Sequence, residues 1–190
     1  MTWLIILVVL LAAFGPVMWL LPSKRDRRLT AMRQQARQEG MTVEMRRLPK
    51  VDPLPEERVT AGGRVLQPVQ ELAVYQWPMP RRLKQLPTWR LLRQGQGIRA
   101  LPGWAFEIGT KPQHPQLEAS LGALGPVLAG LPEDVLALEC EDRLLSAYWM
   151  ESPGHGPAEV TALARLLASG SRALEDLDLD LEAKAEEGKI

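Results

Sequence analysis

The chain has 190 residues, of which 23 are basic, 23 acidic and 46% hydrophobic; this balance excludes a disordered polyelectrolyte and a strongly basic nucleic-acid binder. A single cysteine, Cys140, excludes a disulfide framework within one chain. The zero net charge hides a gradient, with +6 over residues 24–50, +4 over 51–111 and −10 over 112–190.

Residues 2–21 carry no charge. As a helix they would be about 30 Å long, the thickness of a bilayer's hydrocarbon core, and a transmembrane helix is expected there. Trp3 and Trp19 stand near its ends as interface anchors. Gly15 and Pro16 introduce a kink, and Gly15 offers a notch for a partner helix. A cleaved signal peptide fits less well, because no basic residue precedes the run and no small-x-small site ends it.

Lys24, Arg25, Arg27, Arg28, Arg33 and Arg37 follow the run. Such flanking cations stay on the cytoplasmic side, so the expected location is a bacterial inner membrane, with the N-terminus outside and everything after Pro22 in the cytoplasm. Residues 23–40 read as a basic juxtamembrane helix. Ser23 and Asp26 form a capping box, Leu29, Met32 and Ala36 share one face, and Gly40 is the stop. The six cations either contact anionic lipid headgroups or only enforce topology on a solvated stalk.

Residues 41–170 are expected to form a small α+β domain with a mostly antiparallel sheet covered by two helices. A strand over 41–48 is followed by a loop or linker over 49–63, which contains three prolines and two glycines. Strands over 72–77, 88–94 and 98–108 suggest an antiparallel meander. Between the first two of these, Arg81, Arg82 and Lys84 make a basic loop. Leucines at helical spacing predict a helix over 115–130, kinked at Pro126.

Two apolar runs about Glu141-Asp142-Arg143 predict a hairpin over 135–150, with Cys140 on its buried face. Pro157 opens a helix over 158–169, for which Gly170 reads as the stop. Residues 171–190 then form an acidic tail, disordered by default. Leu177, Leu179 and Leu181 could instead add as a strand to a sheet edge, or Leu174, Leu177 and Leu181 line one face of a helix, which makes Leu177, Leu179 and Leu181 candidate docking positions for a partner protein or for the chain's own basic segment.

Chemistry is thinly represented. His114 and His155 stand alone in Pro- or Gly-containing loops, and no Cys/His cluster, nucleophile elbow or phosphate-binding glycine loop occurs. No catalytic residue, metal or other cofactor is therefore assigned, and the chain reads as non-enzymatic.

The span ending Met18-Trp19-Leu20-Leu21-Pro22-Ser23, the basic run Lys24 to Arg28 and the Arg/Gln-rich helix resemble single-span inner-membrane proteins of proteobacteria. Some of these are labelled YajC-type accessory subunits of the Sec preprotein translocase. The resemblance covers about the first fifth of the chain and transfers no functional residue.

The expectation is thus a bitopic inner-membrane protein whose cytoplasmic domain binds another protein as an adaptor or scaffold, with no nucleic-acid partner. An accessory subunit of a membrane translocation or envelope-assembly complex is the second reading. A membrane-tethered enzyme is the third, to be recognised by a deep pocket holding His114, His155 or Cys140.

Overall fold

In a computed structural model of the chain, which describes Trp3 and residues 23–50, 53–58, 63, 65, 68–93, 103–107 and 115–187, the first described helix, α1, spans Lys24–Gln38. The Ser23 hydroxyl accepts the Asp26 N–H at 3.1 Å and Asp26 accepts the Ser23 N–H at 3.1 Å, so two otherwise unpaired amides are satisfied at once. At the other end Gly40 takes φ +87°, its N–H bonding Arg37 O at 3.1 Å while Met41 N–H bonds Ala36 O at 2.9 Å. This is a Schellman ending, and glycine supplies its left-handed residue without a Cβ penalty.

Strands β1 (Thr42–Pro49), β2 (Val69–Pro78), β3 (Trp89–Arg93), β4 (Trp104–Phe106), β5 (Val135–Glu141) and β6 (Leu144–Trp149) form one sheet in the order β1-β2-β6-β5-β3-β4. Every neighbouring pair is antiparallel. A 3-10 turn over Pro55–Glu57 and helices α2 (Pro115–Gly130) and α3 (Pro157–Glu187) complete the described elements. Pro126 lies inside α2, which continues to Gly130.

One face of the sheet carries Tyr75, Trp89, Leu91, Leu138, Cys140, Leu145 and Trp149, buried together with Met32 and Ala36 of α1, Leu124, Val127 and Leu128 of α2, and Val160, Leu163, Leu167 and Leu174 of α3. Burying each large side chain contributes about 1.5–3 kcal/mol, which makes this the main source of cohesion. The opposite face holds a smaller buried cluster of Leu48, Leu72, Val74, Leu92, Ala137 and Tyr148.

The α+β architecture with a wholly antiparallel sheet agrees with the expected domain, but three helices rather than two supply its main core. The meander is corrected: the β5–β6 hairpin inserts between β2 and β3. Residues 79–88 therefore cross from one strand to a distant one, and Met79 N–H bonds Arg143 O of the hairpin turn at 2.7 Å.

The helix expected to stop at Gly170 runs on to Glu187, so most of the expected acidic tail is helical. Gly170 is a packing notch rather than a terminus. A Cβ there would lie 3.1 Å from Leu124 Cδ2, 3.1 Å from Leu145 Cδ2 and 3.2 Å from Val127 Cγ2.

A second correction concerns the membrane. Among the described residues no helix is long and apolar enough to cross one. α1, with 15 residues, and α2, with 16, are too short, and α3, with 31, is long enough but carries charged side chains of both signs along its length. The transmembrane helix, the single-pass inner-membrane location and the N-out orientation are not retained. Residues 2–21, on which they rested, lie outside the described residues except for Trp3, which is exposed.

Candidate functional site

The start of α1 faces the loop that follows β6. Trp149 is the last residue of β6, and Met150 N–H bonds Asp134 O at 3.1 Å. Glu151 then adopts φ +52°, a left-handed conformation that is costly for a residue with a Cβ. That turn directs its carboxylate inward, leaving Glu151 8% exposed. There it accepts the Tyr75 O–H at 2.8 Å and an Arg33 N–H at 3.0 Å. The hydrogen bond to Glu151 raises the Arg33 guanidinium, and burial followed by the Glu151 charge raises the Tyr75 phenol, so the former stays cationic and the latter a neutral donor.

Arg28 fixes the outer side of the same loop. Its guanidinium donates to the carbonyl oxygens of Ser152 at 2.6 Å, Glu151 at 3.0 Å and His155 at 3.2 Å. On the inner side Asp134 accepts the Ser152 N–H at 3.0 Å and lies 3.2 Å from His155 Nε2. Burial alone would raise the Asp134 carboxyl. The Ser152 N–H, the neighbouring Trp149 indole and His155 outweigh it and leave the group below the usual carboxylate range. The His155 ring rests against Trp149 at 5.3 Å, and Trp149 against Tyr75 at 5.2 Å.

Between α1 and this braced loop lies a cleft of about 530 Å³, lined by Lys24, Arg25, Arg28, Met150, Glu151, Ser152, Pro153 and Gly154. Its volume is that of an ordinary small-ligand or side-chain pocket. Lys24 and Arg25 are exposed at its lip. Met150 is 52% exposed, an apolar surface set beside those cations. The one carboxylate in the lining, Glu151, is already neutralised by Arg33, so the cleft is electropositive.

Two further buried carboxylates are closed in the same manner. On the sheet face away from the described helices, Glu139 of β5 accepts Arg90 Nε at 2.9 Å and the Tyr148 O–H at 2.7 Å, with Arg46 at 3.4 Å. Arg90 also reaches Glu107 at 2.7 Å, and Arg46 reaches Glu44 at 3.2 Å. In α3, Asp178 is fully buried and accepts the backbone N–H groups of Lys84, Gln85 and Leu86 and an Arg81 N–H at 3.0 Å.

The expected site residues are dispersed. Of the six cations assigned to lipid headgroups, Arg28 and Arg33 are bound to the protein's own β6–α3 loop, while Lys24, Arg25, Arg27 and Arg37 are exposed. Leu177 and Leu181 pack at the margin of the main core and Leu179 is 47% exposed. The acidic residues around them hold the chain's own basic loop: Arg81 and Lys84 pair with Glu182 at 2.9 and 2.8 Å. Gly15 and Trp19 lie outside the described residues, as does His114.

His155 does not line the cleft. Cys140 is 1% exposed, and burial, reinforced by the Glu139 and Asp178 charges, pushes its thiol up to about 12. Among the described residues no cluster of His, Cys, Asp and Glu is arranged to hold a metal ion. Met150, Glu151, Asp134 and Tyr75 were not marked by any sequence motif.

No family model, curated protein or solved structure matches this chain. The YajC-type resemblance therefore transfers no role to the cleft.

Proposed function

We propose that this chain is a non-enzymatic adaptor whose α+β domain binds a partner protein, and that the cleft between α1 and the β6–α3 loop receives an acidic segment carrying one apolar side chain. The observation that carries this reading is Met150, half exposed beside the exposed Lys24 and Arg25, over a floor that Arg28 and Glu151 hold rigid. An apolar side chain against Met150 supplies burial, and carboxylates facing Lys24 and Arg25 supply steering and register. A braced floor lowers the ordering cost of binding. The one carboxylate lining the cleft, Glu151, already accepts from Tyr75 and Arg33 and is no free base there, which favours binding over chemistry.

A peptide array tests the reading. Peptides with an apolar residue flanked by Asp and Glu are expected to retain the protein, and retention should fall about tenfold when Lys24 and Arg25 are both changed to Glu. Equal retention by Lys- and Arg-flanked peptides, or indifference to the double substitution, would overturn it.

A further inference from the structure

Among the described residues β1 is an edge strand with β2 on one side only. It pairs with β2 over eight residues, Thr42↔Gln76 to Pro49↔Val69, with no shift in register. A long unbulged edge presents a row of unpaired N–H and C=O groups to a further strand. The opposite edge, β4, has three described residues. What covers β1 is selected by its side chains. Glu44 and Arg46 lie on one face, Arg46 reaching Glu139, whereas Val43 packs against the core on the helix face and Met45 touches Arg33.

We infer that β1 pairs antiparallel with β1 of a second copy about a two-fold axis through Met45, joining two six-stranded sheets into one. In a continuous sheet, directly opposed residues share a face, so only registers centred on a residue of the strand are allowed. Centred on Met45, Glu44 opposes Arg46 of the second copy and Arg46 opposes its Glu44, Val43 lies against the stem of Arg47, and Thr42 faces Leu48. Centred on Glu44 the two glutamates meet, and centred on Arg46 the two arginines meet; both juxtapositions are unfavourable.

The strand is thus charge-complementary to itself in one register and repelled in the adjacent ones. Isologous contact of this kind closes at two copies and leaves no open end. The ion-pair array Glu107–Arg90–Glu139–Arg46–Glu44 would then continue across the seam into the second sheet. Exposed pairs of this sort contribute more to register than to affinity, while the backbone ladder and the half-exposed Met45 supply the attraction.

The test is sedimentation of the full chain combined with cysteine placement. The chain is expected to sediment at twice its own mass, and Glu44→Lys, at an exposed position outside the core, should return it to one chain mass with its far-UV circular dichroism preserved. Met45→Cys should give a disulfide-linked dimer on mild oxidation, because the axis sets the two Cβ atoms within reach. Glu44→Cys and Arg46→Cys should not, and buried Cys140 does not compete. A single-chain mass for the unmodified protein, a dimer indifferent to Glu44→Lys, or equal crosslinking at the three positions would each overturn the inference. Peptide uptake by the cleft is read separately and does not depend on the outcome.

Discussion

Asp178 Oδ1 accepts the backbone N–H of Gln85 at 2.7 Å, although the two residues are 93 positions apart. The same carboxylate takes the N–H groups of Lys84 and Leu86, so one buried side chain in α3 caps three successive amides of the crossing between β2 and β3. Asp178→Ala would leave those amides unsatisfied and is expected to cost about 3–5 kcal/mol. Asp176→Ala, at an exposed position of the same helix, should stay within about 0.5 kcal/mol. Urea unfolding of the two variants checks the contrast.

The chain has two tyrosines, and both phenols are pushed upward. For Tyr148 burial is the largest cause, followed by its hydrogen bond to Glu139 and the Glu139 charge, and it reaches about 12. In the unfolded chain both would ionise near pH 10. The folded state therefore holds protons that the unfolded state releases. The stability contributed by these groups is complete below about pH 10 and is lost as pH rises towards 12. Tyrosinate absorbance should stay absent at pH 10 in the folded protein and appear together with the loss of tryptophan-reported structure.

Gly170 sits where α3 presses on α2 and β6. Gly170→Ala gains about 1 kcal/mol of helix propensity. The added methyl also forces Leu124, Leu145 and Val127 to yield, at a cost of about 1–3 kcal/mol, because these side chains are close-packed. A net loss near 1 kcal/mol is expected for alanine and a larger one for Gly170→Val, both measurable by denaturant midpoint.

Cys140 faces the core between Glu139 and Glu141 on β5. With its thiol held near 12, the thiolate is scarce at neutral pH. A thiol reagent at pH 8 should leave the native protein unmodified and react with one equivalent once the protein is unfolded in denaturant.

What was legible in the sequence is what local chemistry decides. The Ser23–Asp26 box and the Gly40 stop bound α1 correctly, because a cap is a matter of a few adjacent residues. The β5–β6 hairpin was legible for the same reason. Gly170 misled, since a glycine after a helical stripe has the appearance of a terminus, and only the surface pressed against it shows a notch. The alternating acids and leucines of 174–182 look like a solvated tail until Asp178 meets the loop 84–86, a contact with no local signal.

Strand order escaped for a related reason. Alternation marks a strand without naming its neighbour, and here a later hairpin enters between two earlier strands. The cations of the cleft were visible as charge, but their counterpart, the loop Met150–Gly154, lies more than a hundred residues away.

Backbone amide NMR shifts of the full chain, titrated with an Asp/Glu-flanked peptide bearing a single leucine, locate the surface that takes up the peptide. Saturable shifts are expected to concentrate at Lys24 to Arg28 and Met150 to Gly154, with the midpoint moved to about tenfold higher peptide concentration when Lys24 and Arg25 are replaced by Glu. Saturable shifts centred elsewhere, or none at peptide concentrations in the millimolar range, would contradict the proposal.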